Sequence, residues 1–354
     1  MRLAIVGSVG VPASYGGFET LVEHLIEDES FDYTVYCSGK HYRKRLETYK
    51  DARLVYLPLH ANGVSSIFYD VCSVLHGIAT GHQIFLILGT SGAIIIPLVR
   101  WIKPSIRIFV NIDGIEWKRS KWHGLARWYL KFSESIAVRY CNTVVADNDA
   151  IANYVLNTYH KECETIAYGG DHARVADPRG NSDYAERYQD EYFLAICRIE
   201  PENNVKMLLH AFSQIKKRLV VIGNWQSTEF GRKLFSRYQR KANLHLLDPI
   251  YDVEMLQIYR MNCHAYIHGH SAGGTNPSLV EIMHFAKPVI AFDCVYNRSS
   301  MENRGLYFKD SDHLQKIATT SELRRDPEML EIAQRNYTWK SIRRKYAKLF
   351  MNSS

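Results

Sequence analysis

Two doubly wound, Rossmann-like α/β domains facing a cleft are what this sequence predicts, and three observations predict them. Short apolar runs alternate with helical patterns in both halves, which implies parallel sheets with helices on their faces. The 354 residues exceed what one typical hydrophobic core organises. A polar stretch at 177–190, DPRGNSDYAERYQD, lacks apolar periodicity and reads as the connection. The expected division is 1–175, 176–335, and a C-terminal helix at 336–354 that packs back on the first domain.

In the first half the strand candidates are Leu3–Val6, Tyr33–Tyr36, Leu54–Tyr56, Ile84–Leu88, Ile106–Val110, Thr143–Ala146 and Glu164–Ile166. In the second they are Tyr192–Ile196, Leu219–Ile222, Leu244–Leu246, Ala265–His268 and Pro288–Phe292. Strand carboxyl ends, and the ligand loops that follow them, then meet at the cleft. The stretch 84–102 is apolar, but it falls short of the ~20 residues a spanning helix needs. Gly89-Thr90-Ser91-Gly92 interrupts it, so a buried strand, a turn and a buried helix are expected.

Composition narrows the class. Nearly half the residues are apolar and low-complexity tracts are absent, so the chain is expected to be globular throughout. Seven scattered cysteines without CxxC spacing argue for reduced thiols in the cytoplasm, with no disulfide framework and no zinc site. Met1-Arg2 runs straight into a strand pattern, leaving no room for a signal peptide. The net charge of +7 concentrates at 117–132, WKRSKWHGLARWYLKF. Basic residues among Trp suit an anionic membrane surface, and a helix packing its aromatics inward explains them equally well. No nucleic-acid-binding signature accompanies them.

Two glycine loops carry the chemistry. The first, GSVGVPASYGGFETLVEHL, follows a strand and opens a helix, but its glycines are too widely spaced for a dinucleotide fingerprint. The second, HGHSAGGTNPSLVEIM, sets Gly273-Gly274 before a helix expected over Ser278–Ala286, with Asn276 as cap and Pro277 at its first position. Glycine lets backbone approach a ligand, and first-turn N–H groups attract anions, most naturally a phosphate. Two such loops suit a substrate with a diphosphate at its middle. Plain loop-to-helix joints are the alternative, with Ser278 and Glu281 as a capping box.

GVPASYGGFETLVEHL, DGIEWKRSKW at 113–122, YGGD at 168–171, CRIEPENN at 197–204 and HGHSAGGTNPSLVEIM at 268–283 together resemble the retaining glycosyltransferases of family 4. The resemblance covers nearly the full length and implies the GT-B fold. Within that family the chain is similar to the bacterial rhamnosyltransferase branch.

The resemblance implies the site residues. Arg198 would contact the donor diphosphate and Glu281 the ribose hydroxyls. The Lys that usually follows the arginine by five residues is Asn203 here, and the first glutamate of the usual pair is Gly273. Backbone N–H groups of Gly273, Gly274, Thr275 and Asn276 would stand in, with Ser278 at the helix start and Gly16-Gly17 as the other anion-facing element. A different donor sugar, such as rhamnose, would explain the two departures. Neither metal nor cofactor is implied, because fixed donors stabilise the departing nucleotide diphosphate. Asp113 is the carboxylate best placed to orient the acceptor hydroxyl, although an Asp-Gly turn explains it nearly as well. Glu116 ranks behind it, and Glu19 reads equally as a first-turn acid.

The partners implied are a nucleotide sugar and a glycan or polyprenyl-linked acceptor. An anionic membrane surface at the cytoplasmic face would be met through Lys118, Arg119, Lys121, Trp122 and Trp128. Three rival readings stand beside this one. Asp147-Asn148-Asp149 and Asp310-Ser311-Asp312 match the DxD of metal-dependent GT-A transferases. A nucleotide-sugar epimerase shares the fold, and a non-enzymatic membrane adaptor would need only residues 117–132.

Overall fold

The computed structural model describes residues 1–13, 16–112, 114–119, 122–175, 191–320 and 322–352. The chain forms two compact units, Met1–Tyr168 with Trp339–Ser354, and Gly169–Thr338.

The first unit runs β1 (Arg2–Val6), α1 (Gly17–Leu25), β2 (Asp32–Ser38), β3 (Thr48–Tyr49), β4 (Ala52–Leu57), α2 (Ser65–Ala79), β5 (Ile84–Leu88), α3 (Ile96–Ile102), β6 (Arg107–Asn111), α4 (Gly124–Tyr140), β7 (Thr143–Ala146), α5 (Asp149–Tyr159) and β8 (Cys163–Thr165). Its sheet has the order β3-β4-β2-β1-β5-β6-β7-β8 and is parallel except for the short β3–β4 pair. Leu3 lies opposite Tyr33 on one side and Ile84 on the other, so β1 sits at the sheet's centre. From β1 the chain first steps towards β2 and later towards β5. Right-handed crossovers therefore put α1 on one face of the sheet and α2, α3 and α4 on the other.

The second unit runs β9 (Tyr192–Ile196), α6 (Val205–Ser213), β10 (Arg218–Ile222), α7 (Glu229–Tyr238), β11 (Leu244–Leu247), α8 (Val253–Asn262), β12 (Ala265–His268), α9 (Pro277–Met283), β13 (Val289–Phe292), α10 (Val295–Ser300), β14 (Leu306–Phe308), α11 (Ser311–Thr320) and α12 (Pro327–Asn336). Its sheet is parallel, in the order β11-β10-β9-β12-β13-β14. The order reverses between β9 and β12. A crevice at the carboxyl ends of those two strands is where open α/β sheets bind ligands.

The last helix, α13 (Trp339–Asn352), returns to the first unit. Trp339, Ile342, Tyr346 and Phe350 are buried in the core formed by β1, α1 and β5. The Trp339 ring stacks on His24 at 4.3 Å, and the Tyr346 hydroxyl accepts from Asn111 Nδ2 at 2.9 Å.

Several expectations need correction. The strand expected at 106–110 is shifted by one residue, and β3 and β14 were too short to stand out in the pattern. The helix expected over 278–286 ends at Met283, because the chain turns through Ala286 at φ 52° to enter β13. β5 is buried as expected, but the helix after it is buried on one side only: Ile96 and Val99 are covered, whereas Trp101 is 81% exposed. The connection at 177–190 lies outside the described residues.

Candidate active site

In the second unit two loops meet at the crevice between β9 and β12. The loop after β9 carries Arg198 and a 3-10 turn, Pro201–Asn203. Asn203 is buried, and its side chain donates to the Arg198 carbonyl at 2.7 Å and meets His270 Nδ1 at 2.9 Å. Asn204 donates to the Gly269 carbonyl at 2.9 Å, and both the N–H and the hydroxyl of Ser271 donate to the Glu202 carbonyl. The two loops are thus bonded to each other at several points. Where the resemblance implies a lysine facing the donor, this chain has a residue that fixes the loop. Arg198 keeps its head accessible at 42% exposure, 3.7 Å from Glu200.

The loop after β12 turns at Gly273, whose φ of 106° is a left-handed conformation that favours glycine. Asn276 caps α9 as the sequence indicates, accepting from the N–H of Ser278 at 3.0 Å and from its hydroxyl at 2.8 Å. Ser278 is thus tied to its own cap residue through both its N–H and its hydroxyl. Gly274 and Thr275 sit between the turn and this cap, and Thr275 is buried.

Glu281, one turn into α9, has partners that sequence reasoning missed. Arg260 of α8, only 4% exposed, donates to its carboxylate, and His172 Nε2 lies 3.5 Å away. Burial by itself drives the Glu281 carboxyl upward, but the Arg260 charge and the His172 contact outweigh it and hold it below its ordinary value. Glu281 is therefore ionised and 15% exposed. The YGGD motif delivers His172. A Cβ on Gly170 would meet the backbone of Val280 at 2.6 Å, so only glycine lets this segment lie against α9. At the end of β12, His268 is buried and held neutral by burial and the nearby His270, and its Nε2 has no hydrogen-bond partner among the described residues.

In the first unit the glycine loop is braced from α1. Glu19 Oε1 accepts from the Val9 N–H at 2.7 Å and Glu23 Oε2 from the Ala13 N–H at 2.5 Å. Glu19 is thus a loop clamp as well as a first-turn acid. Gly16, at φ 130°, is the N-cap of α1, and Gly17 is its first residue. Beside this loop, at the carboxyl ends of β1, β5 and β6, is a cavity of about 480 Å³. Gly7, Gly89, Thr90 and Glu116 line one part of it, and Ile67, Leu125 and Leu130 an apolar part. Asp113 lies outside the described residues, as does Lys121.

The basic segment divides between the protein and solvent. Arg119 Nε is 2.8 Å from Glu116, and Trp122 Nε1 donates to Glu116 at 2.9 Å, so both are turned onto the protein. Trp117 donates to the buried Glu134 at 3.3 Å, and Lys118 lies over its ring at 5.5 Å. Among the described residues assigned to a membrane surface, Lys118 and Trp128 are exposed, Trp128 at 64%. Both DxD matches serve helix starts. Asn148 accepts from the Ala150 N–H at 2.9 Å, and Asp310 accepts from the His313 N–H at 2.8 Å.

Comparison with known proteins agrees with this architecture. Residues 1–171 match a domain of unknown function (DUF1972), and residues 181–335 match glycosyl transferases group 1. No curated protein matches the chain. Among solved structures it is similar to a sucrose-phosphate synthase from Thermosynechococcus elongatus, with a TM-score of 0.81 at 16% identity, over 99% of this chain and 98% of that one. It is similar to HepE of Anabaena in complex with UDP-glucose, with a TM-score of 0.76 at 14% identity, over 99% of both chains. The lipopolysaccharide outer core galactosyltransferase WaaB in its apo form gives a TM-score of 0.68 at 15% identity over all of both chains. The chain has the GT-B fold, and the match to glycosyl transferases group 1 falls on its second unit.

Proposed function

We propose that this protein is a retaining, metal-independent glycosyltransferase of family 4. It moves a sugar from a nucleotide-diphosphate donor to a glycan or polyprenyl-linked acceptor in bacterial surface polysaccharide synthesis. The observation that carries the reading is the pair of mutually bonded loops at the strand-order switch of the second unit. One presents the accessible Arg198, and the other the Gly273–Asn276 backbone with the ionised Glu281 behind it.

Arg198 neutralises the diphosphate as the glycosidic bond breaks, and the backbone N–H groups of Gly273 and Gly274 take the share of a missing lysine. Glu281 accepts from the ribose hydroxyls, and Arg260 and His172 keep it ionised and in place. Asn203 and Asn276 shape the loops that hold these groups, and Ser278 acts through Asn276. Gly16 and Gly17 form the anion-facing element of the first unit. Its 480 Å³ cavity receives the acceptor, with Asp113 orienting the attacking hydroxyl from the same face as the leaving group. A deoxysugar such as rhamnose suits a site where Gly273 replaces a sugar-binding glutamate. The membrane-facing role extends to the acceptor, a lipid-linked glycan at the cytoplasmic surface.

The test is a thermal-shift screen against UDP-, GDP- and dTDP-sugars, followed by product analysis with and without acceptor. A ligand at 100 times its dissociation constant stabilises by about 2.7 kcal/mol. Failure of every nucleotide sugar to shift the melting of the protein would refute the reading. Conversion of donor without acceptor would make the protein an epimerase.

A further inference from the structure

The helices on one face of the first sheet carry apolar side chains on the side turned away from it. From its N-cap Val64, α2 turns Phe68, Cys72 and Leu75 outward at helical spacing, and no Asp, Glu, Lys or Arg interrupts them. The helix's single carboxylate, Asp70, is buried. The 3-10 turn Ala93–Ile95 and α3 repeat the pattern with Ile94, Leu98, Trp101 and Ile102. From α4 come Leu125, 85% exposed, and Trp128 and Phe132, whose rings stack at 5.5 Å. The 3-10 turn contacts both α2 and α4, and α3 packs on α4, so the three stripes adjoin. Singly exposed apolar residues are ordinary, but a contiguous patch marks an interaction surface.

The surrounding charge is basic. Leaving out 117–122, residues 61–145 hold six Lys and Arg against four Asp and Glu. Two of those four acids, Asp70 and Glu134, are buried, and Glu116 is paired with Arg119. Lys103 follows Ile102 directly, and Arg127 and Lys131 lie beside Trp128 on α4, both within 5.4 Å of the Trp117 ring centre.

We infer that this face of α2, α3 and α4 lies in an anionic lipid leaflet. Phe68, Trp101 and Trp128 enter the boundary between headgroups and acyl chains, and Lys103, Arg127 and Lys131 meet the headgroups. A leaflet fits better than a second copy of the chain. A two-fold contact would set these basic groups against their own images, whereas anionic lipid supplies the opposite charge. The surface is distinct from residues 117–122, where Arg119 and Trp122 turn inward. Val64 and Leu125 belong both to the apolar stripes and to the lining of the 480 Å³ cavity, so the cavity borders the leaflet. An acceptor head group would reach it while its tail stays in lipid. The inference draws its purpose from the lipid-linked acceptor of the preceding section, and its evidence from the exposed face alone.

The experiment is sedimentation of the full chain at low salt with vesicles of phosphatidylglycerol in phosphatidylcholine, and with phosphatidylcholine alone. Wild type should bind the anionic vesicles and leave the neutral ones. The double variant Phe68→Glu/Trp101→Glu, at exposed positions, should lose binding at least tenfold with its circular dichroism unchanged. Lys118→Glu/Arg119→Glu should bind within about twofold of wild type. In wild type, brominated lipid should quench tryptophan fluorescence, and Trp101→Phe/Trp128→Phe should remove most of that quenching. Wild type that ignores anionic vesicles, or undiminished binding by Phe68→Glu/Trp101→Glu, would overturn the inference. So would a wild-type dimer that this variant dissociates in the absence of lipid affinity, since a second copy would then cover the face. Nucleotide-sugar thermal shifts on the same proteins separate the two ideas: a failed donor screen sinks the transferase reading and leaves the vesicle result standing.

Discussion

Replacing Arg260 with methionine leaves Glu281 as a buried carboxylate without its cation. The pair is secluded, with 4% of the arginine and 15% of the glutamate side chain exposed. Breaking a buried ion pair on one side costs about 3–5 kcal/mol, because the surviving charge keeps its desolvation penalty and loses its compensation. For a unit of this size each kcal/mol moves the melting temperature by roughly 2–4 °C. Arg260→Met should therefore melt roughly 6–20 °C below wild type at pH 7 by those two scalings. The pH dependence has a definite sign. The folded carboxyl titrates below its ordinary 4.5, so the pair's stabilisation is present above pH 4.5 and is lost as pH falls through the folded value. In the variant, burial pushes the same carboxyl upward, and protonation relieves the penalty. The deficit against wild type should thus be largest near neutrality and shrink towards pH 4. Calorimetry at both pH values reads this, and Arg260→Met/Glu281→Met should recover most of the loss. A single variant melting with wild type at pH 7, or a deficit that grows on acidification, would refute the reasoning.

Other outcomes follow from the same structure. Arg198→Ala should lower turnover by roughly 10²–10³ with the melting temperature unchanged, measured at saturating donor; near-normal turnover would remove Arg198 from the leaving group. Glu281→Gln should weaken nucleotide affinity in calorimetry, and equal affinity would confine Glu281 to a structural part. Asp70 is buried, with the Gly92 N–H at 3.1 Å, and burial raises its carboxyl to about 8. Stability from its protonated form is complete below the ordinary 3.8 and lost as pH rises through about 8. Asp70→Asn should flatten this slope, so the variant gains on wild type between pH 5 and 9; parallel melting curves over that range would count against a buried neutral acid.

Much of the fold was legible because each strand of a parallel sheet is a short apolar run and each crossover a helical pattern. Gly273 and Asn276 were legible for local reasons, a left-handed turn and a cap. The partners of Glu281 were not. Arg260 is 21 positions away on another helix, and nothing in the spacing distinguishes it from a solvated arginine. The exposed apolar stripes of α2, α3 and α4 were hidden in a different way. An apolar helix following an apolar strand looks like core, and only the packing of α2, α3 and α4 shows which side of each helix the sheet leaves uncovered. The Trp-rich segment left two readings open, and only the packing shows Glu116 and Glu134 bonding Trp122 and Trp117 while Trp128 stays exposed.

The position of α13 sets an order of events during synthesis. The first unit's core includes Trp339, Ile342, Tyr346 and Phe350, and the end of β6 is held by a bond from Asn111 to Tyr346. All residues of the second unit are made before these. On the ribosome the second unit's sheet can therefore close while the first unit's sheet still lacks a layer. A nascent chain stopped short of residue 339 would expose the α1 side of that sheet, an apolar surface open to chaperones. Since Ile112, directly after β6, lines the 480 Å³ cavity, that cavity would be among the last parts of the molecule to take shape.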